Sequence, residues 1–229
     1  MNRTAIAIAI AATAGAALLL RKRAAEAAAI DSGIVDSGTE TNFFNVGEFM
    51  GLTTNQQPQQ TDTSQEERNL AAFLVMIRAA EGTNKAGGYG ALFGWPAAGR
   101  SFDPEAASGH PRQFFSYTDK AGKTLRTSAA GAYQITFTTW AGYQVPFRAW
   151  ALLHGYEVAG FTPATQDAFA AFLLSIDGAL GHVKAGRINE ALVIARRRWA
   201  SLPGAGYNQP ERTQQFVISA YTNAGGKLA

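Results

Sequence analysis

An apolar stripe with a marked start and stop constrains this chain more than any other feature. Leu70, Phe73, Leu74 and Ile77 recur at i, i+3, i+4 and i+7, the spacing that lines one face of an α-helix. Ser64 and Glu67 form a capping box at its start. Gly82 supplies the stop, because glycine adopts the left-handed backbone that ends a helix. Glu81 lies four residues past Ile77 and continues the same face. Such an acid is aimed toward the core side, at the negative end of the helix dipole. Burial and the dipole both disfavour its ionised form, and a carboxyl kept protonated near neutral pH is what a general acid requires. Spacing alone equally allows a frayed helix end whose Glu81 points at water.

The rest of the composition sets bounds on partners and chemistry. Of 229 residues, 47% are hydrophobic, enough for a core. There is no cysteine, which excludes disulfides and zinc–thiolate sites. The formal net charge is +3 and the pI about 9.3. Basic residues cluster at 21–23 and 196–198. That balance suits an anionic polymer, whether nucleic acid, cell wall or lipid surface, or serves only solubility. No ladder of aromatic and basic residues points to nucleic acid.

Three regions differ in character. Residues 1–30 are rich in Ala, Ile and Leu, with an uncharged run over 5–20 followed by Arg21-Lys22-Arg23. As a helix the run covers roughly 24 Å, a little short of a ~30 Å hydrocarbon core. The reading is a hydrophobic anchor helix, with the basic flank on the cytoplasmic side; a long Ala-rich helix in a protein assembly is the soluble alternative. Residues 31–66 are polar and include Gln56-Gln57-Pro58-Gln59-Gln60, the composition of a tether. Residues 67–229 form the folded domain. Thr162-Pro163 is an N-cap and first-turn pair, with Phe169, Phe172, Leu173 and Ile176 at helical spacing behind it. Ile188, Leu192, Ala195 and Trp199 predict another helix, and Pro210 is expected to open a last one carrying Phe216, Val217, Ala220 and Tyr221. Between Gly87 and Gly131, glycine and Pro96, Pro104 and Pro111 exclude a long helix, and residues 113–127 suit a small hairpin or irregular strands.

Two further stretches are candidates to face Glu81. Residues 128–134 combine small residues with Tyr133 and Gln134, which offer a stacking face and amide hydrogen bonds; a glycine turn with a core tyrosine is the other reading. Residues 199–207 end a helix and enter a glycine loop. There is no phosphate loop and no His-Glu-x-x-His metal motif. His110, His154 and His182 are isolated, and His110 before Pro111 reads as a loop stabiliser.

These pieces together resemble the lambda phage endolysin family. Residues 73–83 resemble its catalytic helix; His110-Pro111-Arg112, residues 128–134, 161–167, 178–180 and 199–207, and Ala224-Gly225-Gly226 are similar to its other motifs, in the same order. The resemblance covers about residues 69–226. It implies an α+β, mostly helical, lysozyme-like fold and a lytic transglycosylase that cleaves the MurNAc–GlcNAc β-1,4 bond of peptidoglycan, leaving 1,6-anhydro ends and using no cofactor or metal. It places the catalytic glutamate on Glu81 and substrate binding on Ser128, Tyr133, Gln134 and Tyr207. One departure stands out: family members commonly carry arginine before the Tyr–Gln pair, where this chain has Ala132.

A conventional glycosidase needs a second carboxylate, for which Asp103, Glu105, Asp119 and Asp167 are the candidates; Asp167, four residues past Pro163, better suits a helix first turn. A hydrolytic muramidase and a non-catalytic wall-binding virion protein are the competing readings. The expected partners are peptidoglycan glycan strands and, through the N-terminal segment, a membrane or other virion proteins, with no specific nucleic acid. The anchor and tether favour a virion enzyme that opens the wall during genome entry; a signal-anchor endolysin is the alternative.

Overall fold

The computed structural model describes residues 64–119 and 122–229. The anchor expected over 1–30 and the tether up to residue 63 lie outside them. Among the described residues no helix is long and apolar enough to cross a membrane.

The capped stripe forms helix α1, Gln65–Glu81. Ser64 Oγ accepts from Glu67 N while Glu67 Oε2 accepts from Ser64 N, closing the capping box. Gly82 ends the helix at φ 78°. Phe73, Met76 and Ile77 are fully enclosed. A 3-10 turn, Gly88–Gly90, follows. The hairpin comes next, with β1 Phe115–Thr118 antiparallel to β2 Thr124–Thr127 and Phe115 opposite Thr127. Asp119 Oδ1 accepts from Lys123 N across its turn.

Helix α2, Phe137–Leu153, is not among the helices expected above, and Gly142 and Pro146 lie inside it. A proline in a helix interior leaves the carbonyl four residues back without its donor. Here both Gly142 and Pro146 are exposed, so water can meet that carbonyl. Trp140, Phe147 and Ala151 point inward and hold the helix to the core. Helix α3, Pro163–Ile176, starts at the expected cap, Thr162 Oγ1 accepting from Thr165 N. Trp140 meets Phe161 and Phe169 edge-on or tilted at 4.9 Å each, and Phe147 meets Phe169 at 4.9 Å.

Helices α4, Leu180–Lys184, and α5, Ile188–Ala195, complete this side. The expected helix through Trp199 stops at Ala195 and continues in tight turns. The last helix, α6, runs Gln214–Asn223 and is capped by Thr213. Pro210 therefore does not open it; it sits in the preceding loop, and Thr213 wins the start because its hydroxyl satisfies Phe216 N. Helix α1 packs against α6, α4 and α3, so Glu81 emerges from the middle of the fold.

Candidate active site

Glu81 is delivered to a cavity of about 410 Å³. Four chain segments meet there. Phe93 comes from the loop after the 3-10 turn, Tyr117 and Thr127 from the hairpin, Gln134 and Thr136 from the turn before α2, and Arg198 to Ser201 with Gln209 to Arg212 from the loop between α5 and α6. Glu81 keeps partial exposure to this cleft, but its carboxyl is enclosed enough that desolvation raises its pKa from 4.5 to about 7. Two groups oppose that rise. Ser201 Oγ donates to Glu81 Oε1 at 2.7 Å, and the Arg212 guanidinium favours the carboxylate.

Arg212 also fixes the geometry. Its Nε donates to Ala80 O at 3.1 Å and its backbone N to Ser201 O at 2.8 Å. The end of α1 and the α5–α6 loop are thus tied at two points, one of them beside the hydroxyl that holds Glu81. Neither Ser201 nor Arg212 stood out in the sequence; only their proximity to Glu81 reveals them. Ser201 does fall within the distinctive run at 199–207.

The other expected site residues divide into two groups. Gln134 lines the cleft. It adopts φ 47° and its Nε2 donates to Gly131 O, which keeps the turn closed. Ser128, Tyr133 and Tyr207 do not line the cleft. Ser128 is buried and accepts from Phe137 N at the start of α2. Tyr133 is buried, donates to Asp167 Oδ1 at 2.5 Å, and offers its carbonyl to Trp199 Nε1 at 3.1 Å. Burial first, then the Asp167 charge, raises its phenol pKa well above 10. Tyr207 is exposed and donates to Arg197 O.

Of the candidate second carboxylates, none lines the cleft. Asp167 accepts from Tyr89 and Tyr133. Asp103 caps a turn by accepting from Glu105 N, and Asp119 closes the hairpin. A carboxylate not anticipated, Glu211, does line it. Its two oxygens accept from Gly204 N and Gly206 N, both at 2.7 Å, so it braces the glycine loop.

Ala132 is fully buried, its N donating to Gln166 Oε1 and its carbonyl accepting from Thr83. In the neighbouring Tyr89–Asp167–Tyr133 group, Arg78 of α1 donates to the Tyr89 hydroxyl. His110 is enclosed, donating from Nε2 to Ile135 O and accepting from Arg112 N, and burial lowers its pKa. Among the described residues no three His, Asp or Glu side chains are grouped as a metal site would require.

The profile of the family described as Endolysin matches residues 71–228. The chain belongs to the endolysin family. It is 32% identical to the endolysin of Escherichia phage P2 over 69% of this chain and 94% of that one. It is 32% identical to the endolysin of Escherichia phage lambda, over 69% and 91%. The fold is that of lambda lysozyme. The structure of that protein complexed with a chitohexasaccharide aligns with a TM-score of 0.55 at 30% identity, covering 71% of this chain and 97% of the other. A second lambda lysozyme structure aligns at 0.51 and 29%.

Proposed function

We propose that this endolysin is a lytic transglycosylase acting on peptidoglycan, with Glu81 as its single acid and base. As a lysozyme-like endolysin the chain is a glycan-cleaving, peptidoglycan-degrading enzyme, and lambda lysozyme has been captured with a chitohexasaccharide. The observation that carries the finer reading is the character of the two cleft carboxylates. Glu81 has a pKa of about 7 and one hydrogen-bond donor on Oε1. Glu211 has both oxygens engaged by backbone amides.

In the first step Glu81 protonates the glycosidic oxygen and the bond to the anomeric carbon breaks. The positive charge that develops is stabilised by the ring oxygen or the neighbouring acetamido group. Glu81 is now a carboxylate, held by Ser201 and faced by Arg212. It then takes the proton of the C6 hydroxyl as that oxygen attacks the anomeric carbon, closing a 1,6-anhydro ring and restoring the acid. A group that must release and recover a proton works best with a pKa near the working pH. Burial alone would hold the proton too tightly, and Ser201 and Arg212 correct for that.

The curated relatives are both endolysins, which supports a role in host lysis over the virion role expected from the N-terminal segment. Digestion of sacculi followed by mass spectrometry of the muropeptides tests the reaction. Products ending in 1,6-anhydromuramic acid are expected; reducing muramic ends as the main product would make the enzyme a hydrolase and Glu211 the next residue to replace.

A further inference from the structure

Resting on the reading of peptidoglycan as substrate, we propose that a second cavity, walled by His110–Arg112 and by the first two turns of α2, binds the carboxylate-bearing peptide stem of the wall polymer. This cavity measures about 760 Å³ and is lined by Asp103, His110, Arg112, Phe137, Trp140 and Gln144, among others. It adjoins the cleft. Thr136 lines the cleft and Phe137 lines the second cavity, so two consecutive residues form the divide between them. The proposal places the side branches of a glycan strand seated at Glu81 in this space.

The chemistry of the wall is set by Arg112. Its guanidinium lies over the Phe137 ring, 4.5 Å from the centroid, while the residue as a whole is exposed. No described side chain hydrogen-bonds to that guanidinium. A guanidinium held against a ring keeps its N–H donors, and their fork matches a carboxylate with two parallel bonds. The backbone is committed to the same end. Arg112 sits at φ 57°, a region rare for a residue with a Cβ. It is held there by the bond from its own N to His110 Nδ1, and His110 is anchored by Nε2 to Ile135 O at 2.8 Å. A strained residue that aims an unpaired cation into a cavity is the arrangement expected of a ligand clamp. Asp103 on the same wall has Oδ1 occupied by turn amides and leaves one negative group for the ammonium that such stems also carry.

The test compares two substrates: glycan strands with intact stems, and the same strands stripped by an amidase, which keep only the lactyl carboxylate. In the full chain, Arg112→Gln is expected to lower kcat/KM on stem-bearing strands by about tenfold, the usual scale for a charge-assisted hydrogen bond, and to leave stripped strands unaffected. Arg112→Lys, which keeps the charge but not the paired geometry, should fall between. Equal losses on both substrates would mean a structural or sugar-contacting role and would overturn the proposal, as would no loss on either. Binding keeps the result separate from catalysis. Co-sedimentation of full-length Glu81→Gln with stem-bearing and stripped walls should favour the former, and adding Arg112→Gln should abolish the preference, whether or not Glu81 is the catalytic acid. The absence of any preference in the Glu81→Gln protein would equally overturn it.

Discussion

In the proposed mechanism, Glu81 is where chemistry and stability pull against each other. A carboxyl with a pKa of about 7 in the folded state and 4.5 in its ordinary state binds more protons folded than unfolded between those values. Folding stability must therefore fall as pH rises from about 4.5 through 7, and the full cost is present above 7. Glu81→Gln keeps the Oε1 acceptor for Ser201 and removes the charge. It is expected to raise stability at pH 8 by on the order of 1–3 kcal/mol, with no gain at pH 4, as thermal denaturation at the two pH values would show. The same substitution should lower wall-lytic activity by about 10²–10⁴-fold or more. A folded Glu81→Gln protein that retains most activity would refute the assignment. Ser201 is the matching control. Its hydrogen bond lowers the Glu81 pKa, so Ser201→Ala should move the alkaline limb of the pH–activity profile to higher pH. A profile that loses height without moving would assign Ser201 a purely structural role.

At the scale of elements, short polar signals position the site and apolar stripes hold it. Helix α1 carries Glu81 to the cleft because its capping box and Gly82 set both ends. The turn before α2 keeps its shape through Gly131, which sits at φ 75° with Gln166 Oε1 only 2.2 Å from where a Cβ would be. Gln166, fully buried, accepts from Ala132 N and donates to Tyr89 O and Phe161 O, so one amide joins α3, the 3-10 turn and the cleft wall. Helix α2 carries an interior proline at a helical cost that its buried face outweighs. Pro146→Ala restores a donor for Gly142 O on the exposed side. The helical gain of up to ~3 kcal/mol is offset by greater freedom of the unfolded chain. A net stabilisation of roughly 1–2 kcal/mol is expected from chemical denaturation, with lytic activity unchanged because Pro146 lies away from the cleft.

At the scale of the whole molecule, one core underlies the cleft among the described residues. The core gathers residues from all six described helices, and the family match spans 71–228. A chain starting at Ser64 keeps the complete capping box of α1. It is expected to fold and to lyse isolated peptidoglycan, and the expectation for the full chain is partition with membranes through residues 5–20. Fractionation and turbidity clearing of purified walls measure both. An insoluble or inactive Ser64 chain would show that the N-terminal segment contributes to the fold itself.

Local rules determined much of this protein directly from sequence. The caps at Ser64 and Thr162, the stop at Gly82 and the hairpin near 115–127 each depend on residues within one or two turns of one another, and such signals act before any tertiary contact exists. Glu81 was legible for the same reason: four residues from Ile77, its face was set by helix geometry alone. The ordered run of motifs likewise pointed to the endolysin family, to which the chain belongs. What local rules could not decide depended on distant partners. Helix α2 exists despite Pro146 because Trp140 and Phe147 find Phe161 and Phe169. Tyr133 lies in the core because Asp167, 34 residues on, accepts its hydroxyl. Ser201 reaches Glu81 across 120 residues, and Glu211 enters the cleft while tied to a loop. Helix periodicity assigns a face to a side chain, but only the packed chain assigns that face a neighbour, and the neighbour sets the proton affinity on which the proposed chemistry depends.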